Sequence, residues 1–254
     1  MHRITRRTKV AAALSAAAAL AVAAPAAHAA PTVQANAQDI TIATQSSSEA
    51  GITVTAAQAE LTATRVRLRL DRAPIVAGGC TVVTISPAVV DCPRRSLIRV
   101  TGTSNRDVID LALGSSTRIQ ASVHTVGGDD LIKGTGSADT LIGGGGNDEI
   151  RARFGNDDVR GHNGDDELLG GPGDDRVEGG NNADVISGGN GRDKLWARTP
   201  QLPHTDDEIF NNDRFLAEDG QRDEIFCDST PAFGVTPGTF DAIDENVNDV
   251  CRLP

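Results

Sequence analysis

Aspartate recurs at every ninth residue over one stretch of this 254-residue chain: Asp130, Asp139, Asp148, Asp157, Asp166, Asp175, Asp184 and Asp193. Two residues after each stands an aliphatic: Ile132, Leu141, Ile150, Val159, Leu168, Val177, Ile186 and Leu195. Glycine stands two residues before the aspartate in six of the eight units, Ser137 and Asn182 being the exceptions, and Thr125 and Ala152 depart from glycine at the first position. Carboxylates and the carbonyls of a glycine turn are hard oxygen donors. The stretch holds no Cys and one His, so the chemistry it offers is binding of calcium or magnesium, not zinc or copper. Several backbone carbonyls beside carboxylates suit calcium, which accepts roughly six to eight oxygens irregularly, whereas magnesium keeps waters in a strict octahedron.

The elements that position these groups are set by the spacing. Six residues rich in glycine hold neither a helix nor a straight strand, but turn through conformations closed to residues with a Cβ. The three residues after the aspartate, as in Glu149-Ile150-Arg151, point outward, inward and outward, the period of a short strand. Two nonapeptides make a coil of 18 residues, and coils stack at roughly 4.8 Å around the inward aliphatics. The predicted architecture is an all-β parallel solenoid. Stacking sets Asp130, Asp148, Asp166 and Asp184 in one ladder and Asp139, Asp157, Asp175 and Asp193 in another. Neighbouring charges in a ladder would repel by roughly 1 kcal/mol in water and several times that when half buried, so a cation is expected between the rungs. Solvated acidic turns, the plainer reading, would not share phase with glycine and aliphatics.

The segments Gly143-Gly144-Gly145-Gly146-Asn147-Asp148-Glu149-Ile150 and Gly170-Gly171-Pro172-Gly173-Asp174-Asp175-Arg176-Val177 resemble the G-G-x-G-x-D-x-U-x nonapeptide of RTX, or haemolysin-type, calcium-binding repeats. The resemblance covers residues 102–196. It implies a parallel β-roll with calcium between stacked turns, held by the sixth-position aspartates and by turn carbonyls, here those of Gly144, Gly146, Gly164, Gly171 and Gly173. Three gaps per ladder would take about six calcium ions. The unit Ala152-Arg153-Phe154-Gly155-Asn156-Asp157 departs most from the pattern; His162 and Asn182 are milder departures. Gly102-Thr103-Ser104-Asn105-Arg106-Asp107-Val108-Ile109 is similar to Gly134 to Leu141 and reads as an outlying first unit. Asp107 is out of nine-residue phase with Asp130, so the insertion between Asp110 and Val123 either loops out or makes a longer coil.

Outside the repeats, Arg3, Arg6, Arg7 and Lys9 precede an alanine-rich apolar run and Ala27-His28-Ala29, the pattern of a secretory signal peptide over residues 1–30. The run is too short for a membrane span. Lys9 and Val10 stand where a twin-arginine signal usually has a bulky apolar pair, so general export is favoured over the twin-arginine route. Loss of four basic and no acidic residues takes the formal net charge from −11 to −15, which argues against nucleic-acid binding and for attraction of divalent cations. Residues 31–101 carry strand patterns at Ile40 to Ile42, Ile52 to Thr55, Val66 to Leu70, Thr81 to Ile85 and Leu97 to Val100. They form either a small β domain or irregular coils that close the solenoid. Cys80 and Cys92 flank one of these strands, and Cys227 with Cys251 is the other local pair among three possible connectivities, each closure contributing about 3 kcal/mol in an oxidising compartment. Residues 197–254 retain aspartate before an aliphatic at Asp207, Asp223, Asp241 and Asp249 and hold Phe210, Phe215, Phe226, Phe233 and Phe240, the composition of degenerate coils and a capping core.

No His-Glu-x-x-His and no Gly-x-Ser-x-Gly occurs, and His124, His162 and His204 are isolated, so no enzyme is expected. The reading is a secreted, extracellular calcium-binding β-roll that folds on binding calcium. The alternatives are a small extracellular hydrolase using the roll as scaffold and a cell-surface adhesin. Leu131, Ile142, Leu169, Val185 and Trp196, apolar at outward positions, are either a contact surface or packing against the caps, and the sequence names no protein or cell-wall partner.

Overall fold

The computed structural model describes residues 30–43, 51–57, 64–71, 74–85, 88–197, 214–216, 223–226, 242–243 and 251–252. Each nonapeptide places a strand directly after its aspartate. Four such strands, β11 (Leu131–Lys133), β13 (Glu149–Arg151), β15 (Glu167–Leu169) and β17 (Val185–Ser187), stack in parallel at a register shift of one coil, with Ile132, Ile150, Leu168 and Ile186 in line. The alternate units supply β12 (Thr140–Gly145), β14 (Asp158–Asn163), β16 (Arg176–Asn181) and β18 (Lys194–Trp196), which align Leu141, Val159, Val177 and Leu195 in a second parallel sheet. All eight aliphatics are fully buried between the sheets, so the predicted β-roll is the observed one. The two halves of a coil differ in one respect. Strands β12, β14 and β16 run on into the following turn, so that Gly144 pairs with His162 and Gly145 with Asn163.

Toward the N-terminus, β9 (Val108–Ala112) joins β11 and β10 (Gln120–His124) joins β12, with a short 3-10 turn at Ser115–Thr117 between them. The insertion after Asp110 therefore makes a longer coil rather than a loop. Asp107 and Asp130 are 23 residues apart, against 18 within the repeats.

Residues 32–101 extend both sheets. On one side β8 (Leu97–Thr101) and β2 (Asp39–Ala43) continue in parallel from β10, then β1 (Thr32–Ala35) antiparallel and β5 (Ile75–Ala77) at the edge. On the other, β3 (Thr53–Ala57) lies parallel to β9, and β4 (Arg65–Leu70), β7 (Ala88–Pro93) and β6 (Thr81–Ile85) come next in antiparallel order. The parallel stack thus ends against antiparallel strands, and Val54, Leu68, Ile40 and Ile98 prolong the same core. Cys80 and Cys92 form a disulfide at the open end of the β6–β7 pair.

Beyond the repeats, β19 (Arg214–Leu216) and β21 (Ala242–Ile243) add to the sheet of β17, and β20 (Glu224–Phe226) and β22 (Cys251–Arg252) to that of β18. Phe215 and Ile225 sit fully buried in line with Ile186 and Leu195, so the degenerate coils keep the core. The signal peptide, Asp207, Asp241, Asp249, Phe210, Phe233, Phe240 and Cys227 lie outside the described residues, as does the Cys227 to Cys251 pairing. Among the described residues no helix is long and apolar enough to cross a membrane. Trp196, at an outward position, is covered: the Arg176 guanidinium lies 4.0 Å from its ring centroid. Leu131, Ile142 and Leu169 are half-buried, and Val185 is the most open of the five.

Candidate metal centre

Every repeat aspartate is buried, and each side chain folds back beneath its own turn. A methyl group built on the first-position glycines Gly143, Gly161, Gly170, Gly179 or Gly188 would overlap Oδ2 of the aspartate five residues on. In these five units glycine leaves room for the carboxylate, while Asp130 and Asp157 are buried beneath Thr125 and Ala152 at the same position. At the second position the chain turns through the left-handed region, with φ of 110° at Gly144 and Gly171, 129° at Gly180 and 99° at Gly189. Arg153 and His162 adopt φ of 87° at the same position, so the units that depart from the pattern keep its backbone at a cost in strain. The fourth position repeats the device at Gly128, Gly146, Gly155, Gly164, Gly173 and Gly191, and at Asn182 with φ of 81°. A β-branched residue tolerates this region worst. His162→Val is expected to cost about 1–2 kcal/mol in denaturant unfolding, while His162→Gly costs nothing measurable.

The aspartates are linked along each ladder. Oδ1 of Asp148 accepts the Asp130 amide at 2.9 Å, Oδ1 of Asp166 the Asp148 amide at 2.8 Å and Oδ1 of Asp184 the Asp166 amide at 2.9 Å. In the other ladder the amides of Asp139, Asp157 and Asp175 donate to Asp157, Asp175 and Asp193 at 2.7, 2.8 and 2.8 Å. Half of each carboxylate is therefore compensated by an amide and not by a cation between rungs. Asp107, whose amide donates to Asp130 at 2.7 Å, and Asp223, which accepts the Asp193 amide at 2.9 Å, prolong the two ladders beyond the nine-residue phase.

The other oxygen carries the demand. Oδ2 of Asp148, Asp157, Asp166 and Asp175 is buried and receives no hydrogen bond. Burial pushes the carboxyls of Asp148, Asp157 and Asp166 up to about 7 and that of Asp175 to about 8, against the pull of the one amide each accepts. Asp130 also rises to about 7 through burial, although the Asp107 amide and the Thr125 hydroxyl lower it. Asp139 rises only to about 6, since the Ala121 amide and the Thr135 hydroxyl and amide offset its burial. Such oxygens favour a proton or a bound cation.

A second, exposed ladder runs alongside, unforeseen from the sixth-position spacing. The fifth-position side chains of Asp129, Asn147 and Asp165 accept the amides of Asn147, Asp165 and Ala183, and Asn156 and Asp174 accept those of Asp174 and Arg192, all at 2.9–3.2 Å. The signal was there: five of the eight fifth positions are Asn or Asp.

The second- and fourth-position glycines set turn on turn. A methyl at Gly171 would overlap the Arg153 carbonyl oxygen, one at Gly164 that of Gly146 and one at Gly173 that of Gly155, while at Gly144 and Gly146 the carbonyls of Val126 and Gly128 lie 2.8 and 2.6 Å from it. Among the described residues no three His, Cys, Asp or Glu side chains form a group that could hold a metal ion. The donors on offer are buried carboxylate oxygens and turn carbonyls, all hard oxygen, a set that fits calcium and gives zinc or copper nothing to prefer.

Two segments, residues 124–159 and 160–195, match the family model of the RTX calcium-binding nonapeptide repeat (4 copies). Together they cover the eight units that begin at Thr125, short only of the final residue, Trp196. No curated protein and no solved structure matches the chain. From residue 124 to 195 the chain matches RTX calcium-binding nonapeptide repeats and folds as a parallel β-roll.

Proposed function

We propose that the chain is a secreted calcium-binding protein whose β-roll is ordered by several Ca2+ ions. The observation that carries this is the row of buried Oδ2 atoms at Asp148, Asp157, Asp166 and Asp175, which lack any donor inside a block that matches calcium-binding repeats. The residues assigned to the ions are Asp130, Asp148, Asp157, Asp166, Asp175, Asp184 and Asp193, with the turn carbonyls of Gly144, Gly146, Gly164, Gly171 and Gly173. Calcium supplies the positive charge that Oδ2 of Asp148, Asp157, Asp166 and Asp175 otherwise obtains from a proton. The chain supplies the rest: amides hold each Oδ1, first-position glycines make room for Oδ2 of Asp148, Asp166, Asp175, Asp184 and Asp193, and the aliphatic stack excludes water from one side of the turn.

Extracellular modules bind calcium at about 0.1 to 1 mM, so the sites would fill after export and not before it. Because the ligands come together only in the stacked state, binding free energy is folding free energy. The leader-like residues 1–30 and the Cys80 to Cys92 disulfide support an extracellular destination. The matched repeat is a binding unit, and no catalytic role is assigned.

Calorimetric titration of the mature chain with calcium tests the assignment. Replacing Asp148 and Asp166 together by Ala is expected to lower the stoichiometry and weaken binding at least about tenfold, whereas the same change at Asp207 and Asp241 leaves both nearly unchanged. Equal losses in the two double variants would sink the site assignment.

A further inference from the structure

Asp107 and Asp139 differ from Asp148, Asp157, Asp166 and Asp175 in having both oxygens satisfied. The Thr135 amide donates to Asp139 Oδ2 at 2.6 Å, the Ala121 amide donates to Oδ1 at 2.6 Å, and the Thr135 hydroxyl lies 2.8 Å from the same Oδ1. Asp107 repeats the arrangement. The Thr103 amide donates to its Oδ2 at 2.7 Å, the Ile52 amide to its Oδ1 at 2.7 Å, and the Thr103 hydroxyl is 3.0 Å from Oδ1. These two units have threonine where most others place glycine at the second position.

The residue type explains the difference. Glycine at the second position enters the left-handed region, and its amide turns to the neighbouring coil: Gly171 donates to the Gly188 carbonyl at 2.7 Å and Gly180 to the Ala197 carbonyl at 2.8 Å. Thr103 and Thr135 stay out of the left-handed region and their amides face the carboxylate, whereas Val126, equally branched and at the same position, sends its amide to the Thr103 carbonyl at 3.0 Å; the threonine hydroxyl, within 3.0 Å of Oδ1, is what sets this turn. In both threonine units the hydroxyl also accepts an amide two residues on, Ser137 at 3.2 Å and Asn105 at 3.1 Å, which closes the turn on itself.

We infer that Thr103 and Thr135 decide which turns need the cation: their amides replace it at Asp107 and Asp139, so that among the N-terminal rungs only Asp130 calls on calcium and calcium-dependent ordering falls on the coils after Ile142. This rests on the calcium reading above and gives it a direction. Beyond β2 and β3 the same two sheets run on into the antiparallel strands β1, β4, β7 and β6 and the Cys80 to Cys92 disulfide, none of which calls on a metal. The edges of β10 and β11, one in each sheet, then present a fixed template on which later parallel strands stack as calcium enters.

Hydrogen–deuterium exchange of the mature chain, in chelator, in calcium and in magnesium, tests this. In chelator, amides of residues 97–141 are expected to exchange at least about 100-fold more slowly than those of 143–197, and calcium alone is expected to protect the latter. The double variant Thr103→Gly/Thr135→Gly is expected to lose about tenfold or more of the chelator protection over 97–141, to regain it in calcium, and to bind one or two additional ions. The control Thr103→Ser/Thr135→Ser keeps the hydroxyl and the amide and is expected to stay within about threefold of the parent in chelator, which holds the test open should the glycine variant fail to fold. Residues 97–141 exchanging freely in chelator yet protected by calcium would overturn this inference and leave the calcium reading standing. So would a serine variant as unprotected as the glycine one. Uniform protection in chelator, unaltered by calcium, would overturn both.

Discussion

Replacing Gly171 by valine is expected to destabilise the calcium-loaded chain by about 3–5 kcal/mol, a fall of about 10 °C in thermal midpoint. Two costs combine. Gly171 holds φ of 110°, which a β-branched residue does not adopt, and its new Cβ would overlap the carbonyl oxygen of Arg153 in the adjoining coil. Neither partner can yield by rotating a side chain, because both atoms in conflict belong to backbone that stacks at the strand spacing. Pro172, the next residue, is exposed, and Pro172→Ala is expected to change stability by less than about 1 kcal/mol. A thermal scan of both variants in saturating calcium checks the pair. Similar midpoints would mean that the turn is not built as described.

The second large effect is on pH. The folded-state carboxyls of Asp130, Asp148, Asp157 and Asp166 lie at about 7, Asp175 at about 8 and Asp139 at about 6, all above the ordinary 3.8. For an acid whose folded value is raised, the folded chain holds more protons than the unfolded one throughout the interval between the two values. The metal-free roll therefore has its full stability from these groups only below about pH 4, and loses it as pH rises to about 7–8. Calcium acts in the opposite sense, since it must displace those protons. Its apparent affinity is expected to rise by about tenfold per pH unit for each proton displaced between pH 6 and 7, and to level off above about pH 8. Calorimetry in buffers of different ionisation enthalpy reads the proton release directly. An affinity independent of pH across that range would contradict the burial of these carboxylates.

What could be read from the sequence was whatever repeats in phase. Asp130 to Asp193 and the aliphatics two residues on announce the coil, because stacking at an 18-residue interval demands the same residue type at the same place. The flanking rungs were harder to see. Asp223 comes 30 residues after Asp193, so its place in the ladder depends on a long excursion that no period reports. The joining of residues 32–101 to the same two sheets was equally hidden, since alternation predicts strands at Val66 to Leu70 or Thr81 to Ile85 but is silent on which neighbour each one pairs with. Nor could spacing divide the two oxygens of one carboxylate. That division turns on the second-position backbone, which sends the amide of Thr135 to Asp139 and that of Gly171 to another coil.

The carbonyl stacking at Gly171 and the donorless oxygens at Asp166 and Asp175 describe one object, a roll whose interior turns are short of positive charge. The far-UV circular dichroism of the mature chain, stripped with chelator and titrated with calcium against a magnesium control, tests this most directly. A cooperative gain of β signal completed at about 0.1 to 1 mM calcium, and not reproduced by magnesium, is the predicted result. A chain already fully folded in chelator at pH 8 and indifferent to calcium would contradict it, and would leave the aspartate ladders as hydrogen-bonded turns with no metal to hold.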